Sequence, residues 1–331
     1  MISNRKCCSR KIVHELPQVY TRPPLQVLLD ALNLLERPNN TFDTDPSASI
    51  EQTASIQVDP LGVPRYLTSI VACSLEWLVE ADRERVWELA SLRLSERSGR
   101  SAAPAMTRSF RISDELRLSL HEPSLTEDSL GLKTWTSSLL LSRRLAALSK
   151  HLPSCNPRVL ELGSGTGLVG LAAASIWQEQ ISEVLLTDLP EIVPNLQRNI
   201  ELNSCSSGGS TPQVHSRILD WSDRADVPKT VDEAYLVILA ADPIYSSEHP
   251  QLLVDTVRSW LARSADSRFM IELPLREAYL KERQDLRNRL EAFMDVVEEG
   301  EEVGYDDWET AEGQQADVEC WWSVWRRKDS G

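Results

Sequence analysis

The sequence has no C-x-x-C pair. Its six cysteines (Cys7, Cys8, Cys73, Cys155, Cys205 and Cys320) are scattered. That spacing excludes the usual zinc and redox-dithiol motifs and reads as reduced thiols of an intracellular protein. A long apolar run is also missing. The most apolar stretch, Leu67 to Val79, contains Glu76 and is too short to span a bilayer. The opening residues carry no signal-peptide core, so cytoplasm is the expected location, with the nucleus left open. Basic charge is scarce: 35 Lys and Arg face 50 Asp and Glu, for a net charge of −15. Such a field repels phosphate backbones and argues against nucleic acid as a partner. Basic proteins and neutral small molecules stay in play, and a monomer is expected. What is present, 331 residues with 41% hydrophobic and 26% charged, suits a soluble chain of one large domain plus an extension.

The chain is organised around residues 158–171. A short apolar run, Arg158-Val159-Leu160-Glu161-Leu162, reads as a buried parallel strand. Glycines follow on alternate positions, at Gly163, Gly165 and Gly167, and apolar residues then resume at helical spacing. Strand, tight glycine loop and helix N-terminus together let a ligand lie against main chain and meet free N–H groups. A dinucleotide fold wants G-x-G-x-x-G, but the sixth position here is Leu168. The spacing from Glu161 through Ser164 and Thr166 to Gly167 is instead E-x-G-x-G-x-G.

Further along, Glu183 to Asp188 is a second buried strand ending in an acid. At that place a carboxylate accepts from ribose hydroxyls; alternatively Asp188 caps the helix begun by Leu189-Pro190-Glu191. Gln213 to Leu219 reads as a third strand ending in Asp220-Trp221, an acceptor for an adenine amino group and an indole that stacks on a base. Tyr235 to Ala241 is continuously apolar, hence a central strand, and it ends in Asp242-Pro243-Ile244-Tyr245. Phe269 to Leu273, Met294 to Val297 and Cys320 to Trp325 complete a count of seven strands, the last two as a hairpin. Between those two, residues 298–319 carry ten acids and no Lys or Arg, which reads as a solvated loop or a docking loop for a basic partner. Upstream, residues 1–20 read as a mobile terminus and 21–100 as a helical extension. Its helical patterns start at Pro23-Pro24, Pro64 and Asp82, with Trp77 and Trp87 as core. Phe110–Ile112 and Leu116–Leu120 alternate as a hairpin. Trp135 stands where a loop becomes an apolar helix, either as a staple on that helix or as an aromatic wall over a ligand.

Glycine loop, acids and strand count together resemble the class I, seven-strand methyltransferases that use S-adenosylmethionine (SAM). The finer resemblance is to the family-16 protein-lysine methyltransferases. Its marks are Gly131-Leu-Lys-Thr-Trp135, Glu161-Leu-Gly-Ser-Gly-Thr-Gly167, Asp188-Leu-Pro, Asp220-Trp221 and Asp242-Pro-Ile-Tyr245, within a stretch from about Phe110 to Arg327. Ser91 to Gly99 and His121 to Asp128 look like a fungal branch that methylates translation elongation factors. The resemblance implies a Rossmann-like α/β domain over residues 107–331, with helices on both faces of the sheet. It implies SAM contacts at Trp135, Glu161, Gly163, Ser164, Gly165, Thr166, Gly167, Asp188, Asp220, Trp221 and Ala241. It further implies a target-lysine site at Asp242 and Tyr245. Pro243 departs from the aliphatic residue common in relatives and removes one N–H donor. A small-molecule N- or O-methyltransferase and a non-catalytic SAM-binding module are the alternatives, because fold alone does not settle substrate.

Overall fold

The computed structural model describes residues 12–36, 58, 62–97, 105–124, 130–204, 212–309 and 315–328. The chain divides into two compact units, Met1–Ala105 with Ser124–Glu127, and Met106–Pro123 with Asp128–Gly331.

The first unit is helical: α1 (Leu25–Leu34), α2 (Val63–Val71) and α3 (Glu80–Ser95). Their apolar faces meet through Leu28, Leu32, Leu67, Ile70 and Val86, all fully buried. Trp77 and Trp87 pack against this core. Their indole N–H groups donate to Pro23 O and Cys73 O at 2.8 and 3.0 Å. Beyond the end of α2, Leu75 turns to φ +48° and its side chain is fully buried in the core. Residues 12–20, expected to be mobile, join the same packing. Leu16 is buried, and the Tyr66 hydroxyl donates to Pro17 O at 2.9 Å.

The second unit opens with an antiparallel hairpin, β1 (Met106–Arg111) and β2 (Arg117–Glu122). Then come α4 (Thr136–Leu148), β3 (Arg158–Leu162), α5 (Leu168–Ile176), β4 (Glu183–Asp188), α6 (Val193–Asn203) and β5 (Gln213–Ile218). After them follow β6 (Val237–Ala241), α7 (His249–Trp260), β7 (Arg268–Pro274), α8 (Leu280–Glu291), β8 (Met294–Glu309) and β9 (Gln315–Arg327). The seven-stranded sheet has the order β5-β4-β3-β6-β7-β9-β8. Strands β3 to β7 are mutually parallel, and β9 runs antiparallel to both its neighbours, β7 and β8. This is the expected Rossmann-like α/β sheet. The buried runs of β3 and β6 make the centre, where every residue of β6 is buried. The strand order reverses between β3 and β6, and open α/β sheets bind ligands at the carboxyl ends beside such a point.

The acidic run is not the loop that its charge suggested. Residues 298–309 continue β8, paired with β9 to Gln315. Along β8 the even positions 298 to 304 turn inward and the odd ones face solvent, the period of a half-buried strand. Three of the acids meet basic side chains from elsewhere in the chain. Glu298 pairs with Lys150 and His151, Glu299 with Arg287, and Glu302 with Arg144. Residues 310–314 of that run lie outside the described residues. Among the described residues, no helix is long and apolar enough to cross a membrane, and no cluster of His, Cys, Asp and Glu is placed to hold a metal ion.

Candidate active site

The glycine loop leaves β3 on a backbone that side chains would block. Gly165 and Gly167 sit at φ +55° and +88°, the left-handed region. A Cβ on Gly165 would lie 2.9 Å from Gly131 O, and one on Gly167 2.6 Å from Leu196 Cδ1. The loop is pinned from three sides. Ser164 N–H donates to Thr187 O at 2.9 Å, and its Oγ accepts from Thr187 N–H at 3.0 Å. Thr166 Oγ1 lies 2.8 Å from Thr134 Oγ1, and Thr166 O accepts from Asn199 Nδ2 at 3.0 Å. Thr134 N–H in turn donates to the buried Glu122 at the end of β2, at 2.9 Å.

Glu161 is also buried, and its Oε2 accepts from Gly170 N–H at 2.9 Å. It therefore braces the start of α5 from inside. Burial raises its pKa to about 8, although the Gly170 bond opposes the shift.

Around the loop stand the other expected residues. Asp188, at the end of β4, accepts from Gly165 N–H at 2.7 Å and from Leu189 N–H at 2.8 Å. The partly buried carboxylate is thus anchored to the loop, with burial raising its pKa to about 6. The half-buried Trp221 ring passes under Gly163, where an added Cβ would lie 3.3 Å from Cζ2. Asp220 accepts from the N–H and Oγ of Ser222 at 2.8 and 2.7 Å. Ala241 ends β6, buried.

Asp242 follows it with φ +49°, an unusual conformation for a residue with a side chain. Its N–H is held by Glu272 O at 2.9 Å, and its buried carboxylate accepts from Arg276 Nη2 at 3.1 Å. The Arg276 guanidinium lies over the Trp135 ring, 5.1 Å from its centre. Trp135 and Tyr245 rings are 6.1 Å apart, Tyr245 and His249 6.2 Å, and His249 and Trp221 6.1 Å. A continuous aromatic wall therefore joins the Asp242 side of the site to the glycine-loop side. Tyr245 N–H donates to His249 Nδ1 at 3.0 Å, so that nitrogen carries no proton, and burial lowers the pKa of the ring. Beside Asp242 opens a cleft of about 200 Å³, whose lining includes Ser137, Leu275, Arg276, Asp317 and Glu319.

Two members of this site were not expected from the sequence, Arg276 and His249. Arg276 lies just past the end of β7, the strand next to β6, a place where chemistry could have been sought. His249 is four residues after Tyr245, but nothing in its local pattern marks it.

The lysine methyltransferase family matches residues 112–299. Protein-lysine N-methyltransferase EFM2 of Saccharomyces cerevisiae is 41% identical over 267 residues, covering 73% of this chain and 61% of its own length. Protein-lysine N-methyltransferase rrg1 of Schizosaccharomyces pombe is 35% identical over 309 residues, covering 86% of this chain and 98% of its own length. Of solved structures, a Thermoplasma acidophilum protein is similar at a TM-score of 0.41 and 13% identity, over 57% of this chain and 88% of that one. The chain thus spans less than two thirds of the budding-yeast relative and nearly all of the fission-yeast one. The family match covers the glycine loop, both strand-end acids and Tyr245, and with it the chain belongs to the lysine methyltransferase family.

Proposed function

We propose that this enzyme methylates a lysine of a translation elongation factor in the cytoplasm, acting as a monomer with SAM as methyl donor. The observation that carries the reading is the buried Asp242, set at the carboxyl end of the central strand and opening into a cleft lined by further acids. A cationic lysine side chain is drawn to such a cleft, and the chain's negative charge favours a basic protein surface.

The residues fit SAM. Gly163 and Gly165 keep main chain clear of side chains, Asp188 presents a carboxylate to a ribose diol, and Trp221 offers a ring face for adenine. Asp220 stands beside it as an acceptor for the adenine amino group. Ser164, Thr166, Gly167 and Glu161 hold the loop in shape, and Trp135 and Ala241 wall the donor's side of the cleft. When bound, SAM supplies a methyl group made electrophilic by the adjoining sulfonium.

The protein's work is then positioning. Holding an amine close and in line with its target contributes a large part of such a rate. A lysine amine ordinarily keeps its proton up to about pH 10.4; desolvation against Pro274, Leu275 and Val318 lowers that value, while the acids on the cleft lining oppose the shift. Asp242 receives the proton directly or through water, while Arg276 fixes the carboxylate. Tyr245 shapes the channel. Incubating the enzyme with tritiated SAM and yeast lysate tests the reading. A labelled protein at the size of an elongation factor supports it, and label confined to small molecules overturns it.

A further inference from the structure

Lys133 and Thr134, just before α4, and Thr136, its first residue, are only 3%, 3% and 7% exposed. Buried polar side chains need partners, and these find theirs in three separate parts of the second unit. Lys133 Nζ lies 3.9 Å from Oε2 of the buried Glu122, which Arg108 also meets at 3.3 Å. Thr134 N–H donates to Glu122 Oε1 at 2.9 Å. Thr134 Oγ1 is 2.8 Å from Thr166 Oγ1 in the glycine loop, one hydroxyl donating to the other. Thr136 Oγ1 donates to Tyr305 O of β8 at 3.2 Å. Between these anchors stands the part-exposed Trp135. It is the N-cap of α4, with an extended backbone at φ −99° and ψ 156°, so the helix holds it from one side only. On its other side is Thr134. The Trp135 ring lies 6.1 Å from that of Tyr245 and beneath the Arg276 guanidinium, which in turn holds Asp242.

Resting on the reading of the glycine loop as the SAM site and of the Asp242 cleft as the lysine site, we propose that Thr134 is a positioning residue for methyl transfer. Its hydroxyl, bonded to Thr166, fixes the place of Trp135 relative to the donor loop. It thereby keeps the aromatic wall of the lysine site in line with the donor, and it acts through Trp135 rather than on substrate. The loop has other supports for its own shape. Ser164 is held by Thr187 at both its N–H and its Oγ, and Thr166 O by Asn199. Loss of the Thr134 hydroxyl therefore leaves the donor's seat in place and releases Trp135. In-line transfer is sensitive to displacements of about an ångström, so turnover carries the effect. A bond that only stabilises behaves differently. Removing one hydroxyl strands its partner in the interior, whereas replacing both by apolar groups of the same shape is nearly neutral.

Thr134→Val, Thr166→Val and the double variant separate the two roles, with Thr134→Ser as the change that keeps the hydroxyl. For each protein the melting temperature, the SAM affinity by calorimetry, and kcat on recombinant yeast translation elongation factors are measured. Both single valine variants are expected to melt below wild type, and the double variant close to it. SAM affinity is expected to stay at the wild-type level throughout. Turnover is expected to fall roughly tenfold in Thr134→Val and to stay low in the double variant, while Thr134→Ser turns over like wild type. Recovery of kcat together with the melting temperature in the double variant overturns the proposal, because the bond would then only stabilise. A loss confined to SAM affinity, with kcat unchanged, overturns it as well. A wild-type enzyme that labels no lysine overturns the lysine-site reading itself, and this assignment with it.

Discussion

Glu161→Gln is expected to change how stability depends on pH. In the unfolded chain this carboxyl ionises near 4.5, but in the folded protein burial holds it at about 8. Between those values the unfolded chain has released the proton and the folded one has kept it. Ionisation therefore favours unfolding. The contribution is fully present below pH 4.5, declines as pH rises, and levels off above pH 8. At 1.36 kcal/mol for each unit, the loss between pH 5 and pH 8 is about 3 kcal/mol. Glutamine keeps an acceptor for the Gly170 N–H that Oε2 now holds at 2.9 Å, but it does not titrate. Urea denaturation followed by tryptophan fluorescence at several pH values measures the difference. The variant is expected to gain on wild type by about 3 kcal/mol as pH rises from 5 to 8. Glu272, raised well above the ordinary range, titrates in both proteins and cancels in the comparison; Asp188, whose pKa is raised to about 6, repels an ionised Glu161 and adds a smaller contribution of the same sign. A difference that stays constant across this range would refute the reasoning, because it would mean that Glu161 is ionised in the fold.

Two other substitutions probe the loop. Asp188→Ala strands the N–H groups of Gly165 and Leu189 as well as removing the ribose acceptor; SAM affinity by calorimetry is expected to fall on the order of 100-fold, about 3 kcal/mol. An affinity within twofold of wild type would remove Asp188 from the site. Gly167→Ala forces a Cβ to within 2.6 Å of Leu196 Cδ1 at φ +88°, so thermal unfolding is expected to show a loss of about 2 kcal/mol. An unchanged melting temperature would show that α6 yields without cost.

Local patterns carried much of this architecture. The apolar runs of β3 and β6, and the acids that end β4 and β6, are short-range features, and the folded chain puts them side by side. The hairpin of Met294–Val297 with Cys320–Trp325 was legible, but its continuation through residues 298–309 was not, because ten acids in a stretch without Lys or Arg look like a solvated loop. The strand is made by its pairing with β9, and basic side chains from elsewhere meet its acids, Arg144, Lys150 and His151 from around α4 and Arg287 from α8. Those pairings span more than a hundred residues for α4, and no local window contains them. Arg276 and His249 escaped for the same reason. Each gains its place only when β7 and α7 bring it to Asp242 and Tyr245. Glu161, expected as part of the cofactor loop, is found facing inward to Gly170, a distinction that the motif alone does not draw. Trp135 was left between two readings; it stands as the N-cap of α4, with its ring 6.1 Å from that of Tyr245 and Arg276 above it.

The most direct test compares wild type with Asp242→Asn, a change that keeps the shape of the residue and removes its charge. Each protein is incubated with SAM and recombinant elongation factors, and the modified residue is mapped by tandem mass spectrometry while SAM binding is measured in parallel. The expected result is methyl-lysine with wild type, at least a 100-fold slower appearance with Asp242→Asn, and unchanged SAM affinity. Equal methylation by both proteins would contradict the account.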